Sequence, residues 1–166
     1  MDKTSAMKTL LIVLFACLLF KQSCSHSKTT TAKTTTMDES KIVKIIYRYK
    51  DSSVPPRFHR SYDLTITAKQ IEMKEDSYGD ILSEESRAFN TEDFKKLTSA
   101  FIENKLANRT IEKGEGCTGG SNEYIKLFDE NNEILFKGYV YHCGGNDYGD
   151  LSGNYKDYFK LIKTYK

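Results

Sequence analysis

The longest apolar run in this chain, residues 10–20, is eleven residues long and is followed at once by a tract that has almost nothing to bury. That tract, SHSKTTTAKTTTMDES at residues 25–40, is rich in Thr, Ser and Lys and holds one isolated Met37. A segment of this composition cannot bury enough apolar surface to offset the entropy of ordering it. Any core must therefore come from residues 42–166. All eleven tyrosines lie at or after Tyr47, which fits this boundary. We expect a single domain of ordinary size there.

The apolar run itself is too short to span a bilayer as a helix, which takes about 20 residues. Lys3 and Lys8 precede it and the polar Lys21-Gln22-Ser23-Cys24-Ser25 follows, so residues 1–23 read as a secretory signal peptide. Small residues flank Cys24, with Ser23 before it and Ser25 after. On these residues, 7–25, the chain resembles a bacterial membrane lipoprotein with a relaxed lipobox, because Lys21 stands where the usual box has an apolar residue. The resemblance implies lipidation at Cys24, a disordered tether over 24–41 and anchorage in the cell envelope, with the domain facing the periplasm or cell surface. Without lipidation, cleavage after Ser25 would leave a simply secreted protein.

Loss of residues 1–24 removes three of the 25 basic and one of the 23 acidic residues, leaving 22 of each. A neutral domain without a basic stripe points away from nucleic acid and from electrostatic docking to anionic lipid. Of the four cysteines, Cys117 and Cys143 remain after processing. In an exported domain two cysteines read first as one disulfide.

Period-two patterning predicts strands over 42–49, 62–68 and 70–74, and a further one over 81–89. In 62–68 Tyr62, Leu64, Ile66 and Ala68 alternate with Asp63, Thr65 and Thr67. Asn90 and Thr91 followed by Glu92 and Asp93 start a helix over 91–107, with Phe94, Leu97, Phe101, Ile102 and Leu106 on its apolar stripe. Strands over 124–128 and 134–141 flank a turn centred near Asn131, and a shorter helix closes the chain from Gly153 or Asn154. The expected fold is α+β: an antiparallel sheet of about five to six strands built from hairpins, packed on one long helix and a shorter C-terminal helix. If Phe128 faces Ile134, Cys117 and Cys143 meet near the open end of that hairpin.

Chemistry-bearing motifs are sparse. There is no GxSxG, SxxK, HExxH or phosphate-loop pattern. Zinc takes about four ligands. Only His59, His142, Cys117 and Cys143 are on offer, without CxxC or HxxxH spacing, so we expect no metal and no cofactor. His142 and Cys143 are adjacent on a strand and should face opposite sides. The unusual segment is Val54-Pro55-Pro56-Arg57-Phe58-His59-Arg60. Two prolines favour a stiff, extended, exposed loop, on which Pro55, Pro56, Arg57, His59 and Arg60 could meet a partner's anionic groups. The alternative is a crossover loop with merely solvated charges. Glycine corners after each cysteine (117–121 and 143–147) read as strand ends, or as an anion nest.

The expectation is a non-enzymatic, envelope-anchored binding domain, with its lipid in the membrane and a protein partner. Two alternatives stand beside it. One is an inhibitor of a secreted or envelope hydrolase. The other is a small hydrolase in which Arg57, His59 or Arg60 converges with Asp147 or Asp150.

Overall fold

The structure is a computed structural model and describes residues 37–113 and 119–166. The signal segment, Cys24 and Cys117 lie outside the described residues.

Eight strands form one sheet in which every pairing is antiparallel, in the order β4-β3-β2-β1-β6-β7-β8-β5. They are β1 (Lys44–Lys50), β2 (Ser61–Thr67), β3 (Gln70–Ser77), β4 (Asp80–Ala88), β5 (Ala107–Glu112), β6 (Ser121–Phe128), β7 (Ile134–Cys143) and β8 (Asn146–Ser152). Helix α1 (Thr91–Glu103) follows β4, and α2 (Tyr155–Lys163) closes the chain. The α+β class is as expected, but the described residues form eight strands rather than five to six. The two additional strands, β5 and β8, pair with each other at one edge.

Alternation sends Ile45 and Tyr47, Leu64 and Ile66, Ile125 and Leu127, Val140 and Leu151 to one face of the sheet, where Phe94, Leu97 and Phe101 of α1 and Tyr158, Phe159 and Ile162 of α2 complete the core. Residues 37–41, expected in the tether, join this domain: Met37 packs against the core and Glu39–Lys41 form a 3-10 turn.

Helix α1 begins as its sequence suggests, with Asn90 Oδ1 accepting from the Asp93 backbone N–H at 2.7 Å. It ends at Glu103 rather than 107. Lys105 adopts φ 53°, its N–H bonds to Ile102 O, and the N–H of Leu106 reaches Phe101 O. This is a Schellman termination. Leu106 fits the helical stripe, yet it buries itself just after the helix, as the apolar residue such a turn folds back.

The β6–β7 hairpin pairs Phe128 with Ile134 as expected, but a bulge follows and Leu127 faces Phe136. From there the register is shifted by one residue, and Ser121 faces His142. Strand β7 then turns directly into β8. Gly144 (φ 61°) and Gly145 (φ 82°) are the two central residues, and Cys143 faces Asn146. Two consecutive positive φ values define the tight hairpin turn that matches strand twist. The glycine corner after Cys143 is therefore a hairpin.

Candidate functional site

Two assemblies of polar and aromatic side chains stand out. The first is the β1–β2 connection. The two prolines do not extend the chain. The N–H of Phe58 donates to Pro55 O at 2.8 Å, closing a turn in which Pro56 presets the first corner position. The turn is held from both sides. Asp51 Oδ2 accepts from the Arg60 N–H at 2.9 Å, and the Asp51 N–H donates to Ser61 Oγ at 3.0 Å. Burial opposes ionisation of Asp51, but the N–H groups of Arg60 and Ser52 hold its carboxyl below the ordinary value. From the β3–β4 turn, Ser77 Oγ donates to Pro56 O at 2.9 Å and Tyr78 Oη to Val54 O at 2.6 Å.

His59 is the pin of this clamp. It is 3% exposed and stacks on Tyr78 with centroids 3.9 Å apart. Its Nδ1 accepts from the Tyr78 N–H at 3.3 Å, which leaves the proton on Nε2 to be donated to Ser61 Oγ at 3.3 Å. Of the loop residues singled out from sequence, Pro55, Pro56, Arg57 and Arg60 are exposed and His59 is not. Arg60 pairs with Glu75 at 3.4 Å. The residue missed is Phe58: it is 60% exposed and carries the Arg57 guanidinium over its ring at 4.5 Å.

The second assembly lies where α2 crosses the ends of β6, β7 and β8. Register puts Ser121 opposite His142 and His142 opposite Asp147, so Glu123, His142 and Asp147 share the helix-covered face. Glu123 is 6% exposed. It accepts from Tyr47 Oη and Lys163 Nζ, each at 2.8 Å. His142 Nδ1 lies 2.6 Å from Asp147 Oδ1, and its Nε2 is 3.4 Å from Glu123 Oε1, within ion-pair reach but without a formed hydrogen bond. Asp147 Oδ2 accepts from Tyr155 Oη and Lys156 Nζ, each at 2.8 Å. A cavity of about 310 Å³ opens between these groups, Phe159 and Lys160.

The charges hold one another in place. Glu123 raises the His142 pKa against the pull of burial, and Asp147 adds to it. Burial disfavours charge on Glu123, but His142 and Lys163 keep its pKa low. Asp147 is likewise opposed by burial, yet Lys156, His142 and Tyr155 bring it down to about 2. Burial and Asp147 push the Tyr155 phenol up to about 12. An Asp–His pair usually orients an imidazole toward a nucleophile. Here the free imidazole nitrogen meets a carboxylate, and no hydroxyl bonds to it among the described residues.

Of the side chains named for the hydrolase alternative, His59, Asp147 and Asp150 are engaged separately. His59 bonds within the loop clamp, Asp147 bonds within the α2 network, and Asp150 Oδ1 accepts from the Tyr139 N–H at 2.8 Å. Among the described residues no group of three or more His, Cys, Asp or Glu side chains is placed to hold a metal. Cys143 is buried at the end of β7 and is not a free thiol.

Fold and loop together define the class: a small α+β domain with a fully antiparallel sheet, two helices on one face and a clamped, aromatic-tipped corner. No protein-family model matches the sequence, and no curated protein or solved structure matches it.

Proposed function

We propose that this chain is an exported lipoprotein, anchored through Cys24 in the cell envelope, whose domain is a non-enzymatic module that binds a partner protein through the corner at residues 54–60. One observation carries the reading: the corner is immobilised by hydrogen bonds to Asp51 at its base and from Ser77 and Tyr78 at the end of β3, while Phe58 is left 60% exposed at its tip. A large exposed aromatic held rigid has little further entropy to lose on docking. The stacked Arg57 cation suits an apolar pocket with an acidic rim. Inhibition of an envelope hydrolase is a special case of the same contact; a closed turn fits it as a wedge rather than as a bound substrate strand. Among the described residues no helix is long and apolar enough to cross a membrane, which fits attachment by lipid. In this reading Cys117 and Cys143 form the disulfide.

A photo-crosslinking residue at position 58 of the full-length chain, in its native envelope, tests the loop. The expected result is one dominant protein adduct that is lost when the crosslinker is moved to exposed Lys96 on α1. Equal labelling from both positions, or none from position 58, overturns the loop as the binding surface. Intact mass of wild type and Cys24→Ala tests lipidation; a wild-type mass without added acyl groups would end that part.

A further inference from the structure

The sheet buries one face and leaves the other without a helix over it among the described residues. On the uncovered face, register creates two adjacent cross-strand pairs between β6 and β7. Lys126 stands directly opposite Lys137, and Tyr124 directly opposite Tyr139. The tyrosine rings are half-buried and stacked, with centroids 5.8 Å apart and planes 22° from parallel. Both lysines are exposed, and neither ammonium has an ion-pair or hydrogen-bond partner among the described residues. Like charges directly opposite on a sheet repel each other, so the fold holds a juxtaposition that a bound anion would relieve.

The surroundings keep this patch positive. Lys50 of β1 shares the face and is also exposed. Arg48 and Asp63 bond to each other and cancel. Asp150, the one carboxylate that β8 turns to this face, keeps its charge and is fixed by the Tyr139 backbone N–H at 2.8 Å, so the lysines outnumber it locally. The positive charge is local to β1, β6 and β7, since Glu72 of β3 and Glu84 of β4, acids turned to the same face, lie toward the far edge of the sheet.

We propose that the uncovered sheet face, centred on the Lys126–Lys137 and Tyr124–Tyr139 pairs, binds an anionic polysaccharide. Carboxylates or sulfates would lie between the lysines, and sugar rings would pack on the tyrosines. The apolar C–H face of a sugar ring can lie against an aromatic ring, whose face is hydrophobic and carries negative charge density, and charge-assisted contacts supply the strongest polar bonds. A lipid surface fits less well, since tyrosines stacked on one another over their own sheet do not project as membrane anchors. The proposal is independent of the 54–60 corner and stands if that corner binds nothing.

The test uses the full-length chain carrying Cys24→Ala, so that no lipid of its own draws it to vesicles, with polygalacturonate and dextran sulfate as probes. Neutral dextran, phosphatidylglycerol vesicles and single-stranded DNA serve as comparisons. Binding to both anionic polysaccharides and not to neutral dextran is expected. Lys126→Glu and Lys137→Glu should each weaken it about tenfold. Tyr139→Ala should weaken it similarly, and Tyr139→Phe should retain it because the ring, not the hydroxyl, makes the contact. Lys96→Glu, the same charge change on α1, should leave it unchanged. Each variant is matched to wild type by thermal melting, with Lys126→Gln and Lys137→Gln replacing any charge reversal that melts early. Four results overturn the proposal: no binding, equal loss from Lys96→Glu, no loss from Tyr139→Ala, or tighter binding to vesicles or DNA than to the polysaccharides.

Discussion

Removing a hydroxyl from the core should stabilise this protein. Tyr158 of α2 is 0% exposed and packs edge-on against Phe101, with Phe159 beside it. Its hydroxyl has no hydrogen-bond partner among the described residues, and burial pushes its pKa up. A buried polar group without a partner loses its water and gains nothing in return, a cost of about 1–3 kcal/mol. Tyr158→Phe keeps the ring and deletes the oxygen. The small void left behind takes back part of the gain, so we expect a net stabilisation of about 1–2 kcal/mol. For a domain this size that corresponds to a rise in Tm of roughly 3–8 °C. Urea unfolding is the assay: the midpoint should move up with an unchanged slope, the sign of altered stability rather than altered compactness. Tyr47→Phe is the matched control. That hydroxyl donates to buried Glu123 at 2.8 Å, and its deletion should destabilise by about 1–3 kcal/mol. If Tyr158→Phe lowers the midpoint as Tyr47→Phe does, the Tyr158 hydroxyl is satisfied in solution and the reasoning fails.

The α2 network should make stability fall at both ends of the pH range. His142 has a folded pKa raised above 6.5, so its contribution is full below 6.5 and is lost as pH rises through the folded value. Asp147 is lowered from 3.8 to about 2, so its contribution, on the order of 2 kcal/mol, is full above 3.8 and is lost as pH falls from there through about 2. Urea midpoints against pH should therefore show His142→Gln flattening the alkaline limb, and making the acid limb shallower because Asp147 and Glu123 lose a group that lowers them; an unchanged alkaline limb would remove His142 as its cause. His59→Ala should cost about 2–4 kcal/mol, by cavity formation and loss of the loop's bonds, and should speed amide exchange at Phe58 and Tyr78; unaltered exchange there would show that the clamp holds without it. For the proposed Cys117–Cys143 bridge, peptide mapping without reductant should recover the linked pair. Reduction should cost roughly 3–4 kcal/mol from the loop it releases, and recovery of two free thiols would end the assignment.

Much of the fold is written in local pattern. Strand β2 alternates cleanly through Tyr62, Leu64 and Ile66, and α1 carries both its cap and its stripe, so both are legible without coordinates. Strands β5 and β8 are not. The segment ANRTIE at Ala107–Glu112 is an irregularly paired edge strand with almost every side chain exposed, so no face of it alternates. In β8 the inward positions are Asp147, Gly149 and Leu151, and only the last is apolar. Hydrophobic periodicity finds strands whose inner face is greasy, and it fails where that face carries charge.

The same failure hid the charged network. Glu123, His142 and Asp147 come from three strands and meet only after a bulge has shifted β6 against β7 by one residue. One part was readable. His142-Cys143-Gly144-Gly145-Asn146-Asp147 places Gly-Gly at the centre of a two-residue turn, one of the pairs that such hairpin turns accept. That turn fixes His142 opposite Asp147 without any knowledge of the rest. Glycines that read as a loose corner were setting a register, and the register decides which charges the sheet turns toward α2 and which it leaves on the open face.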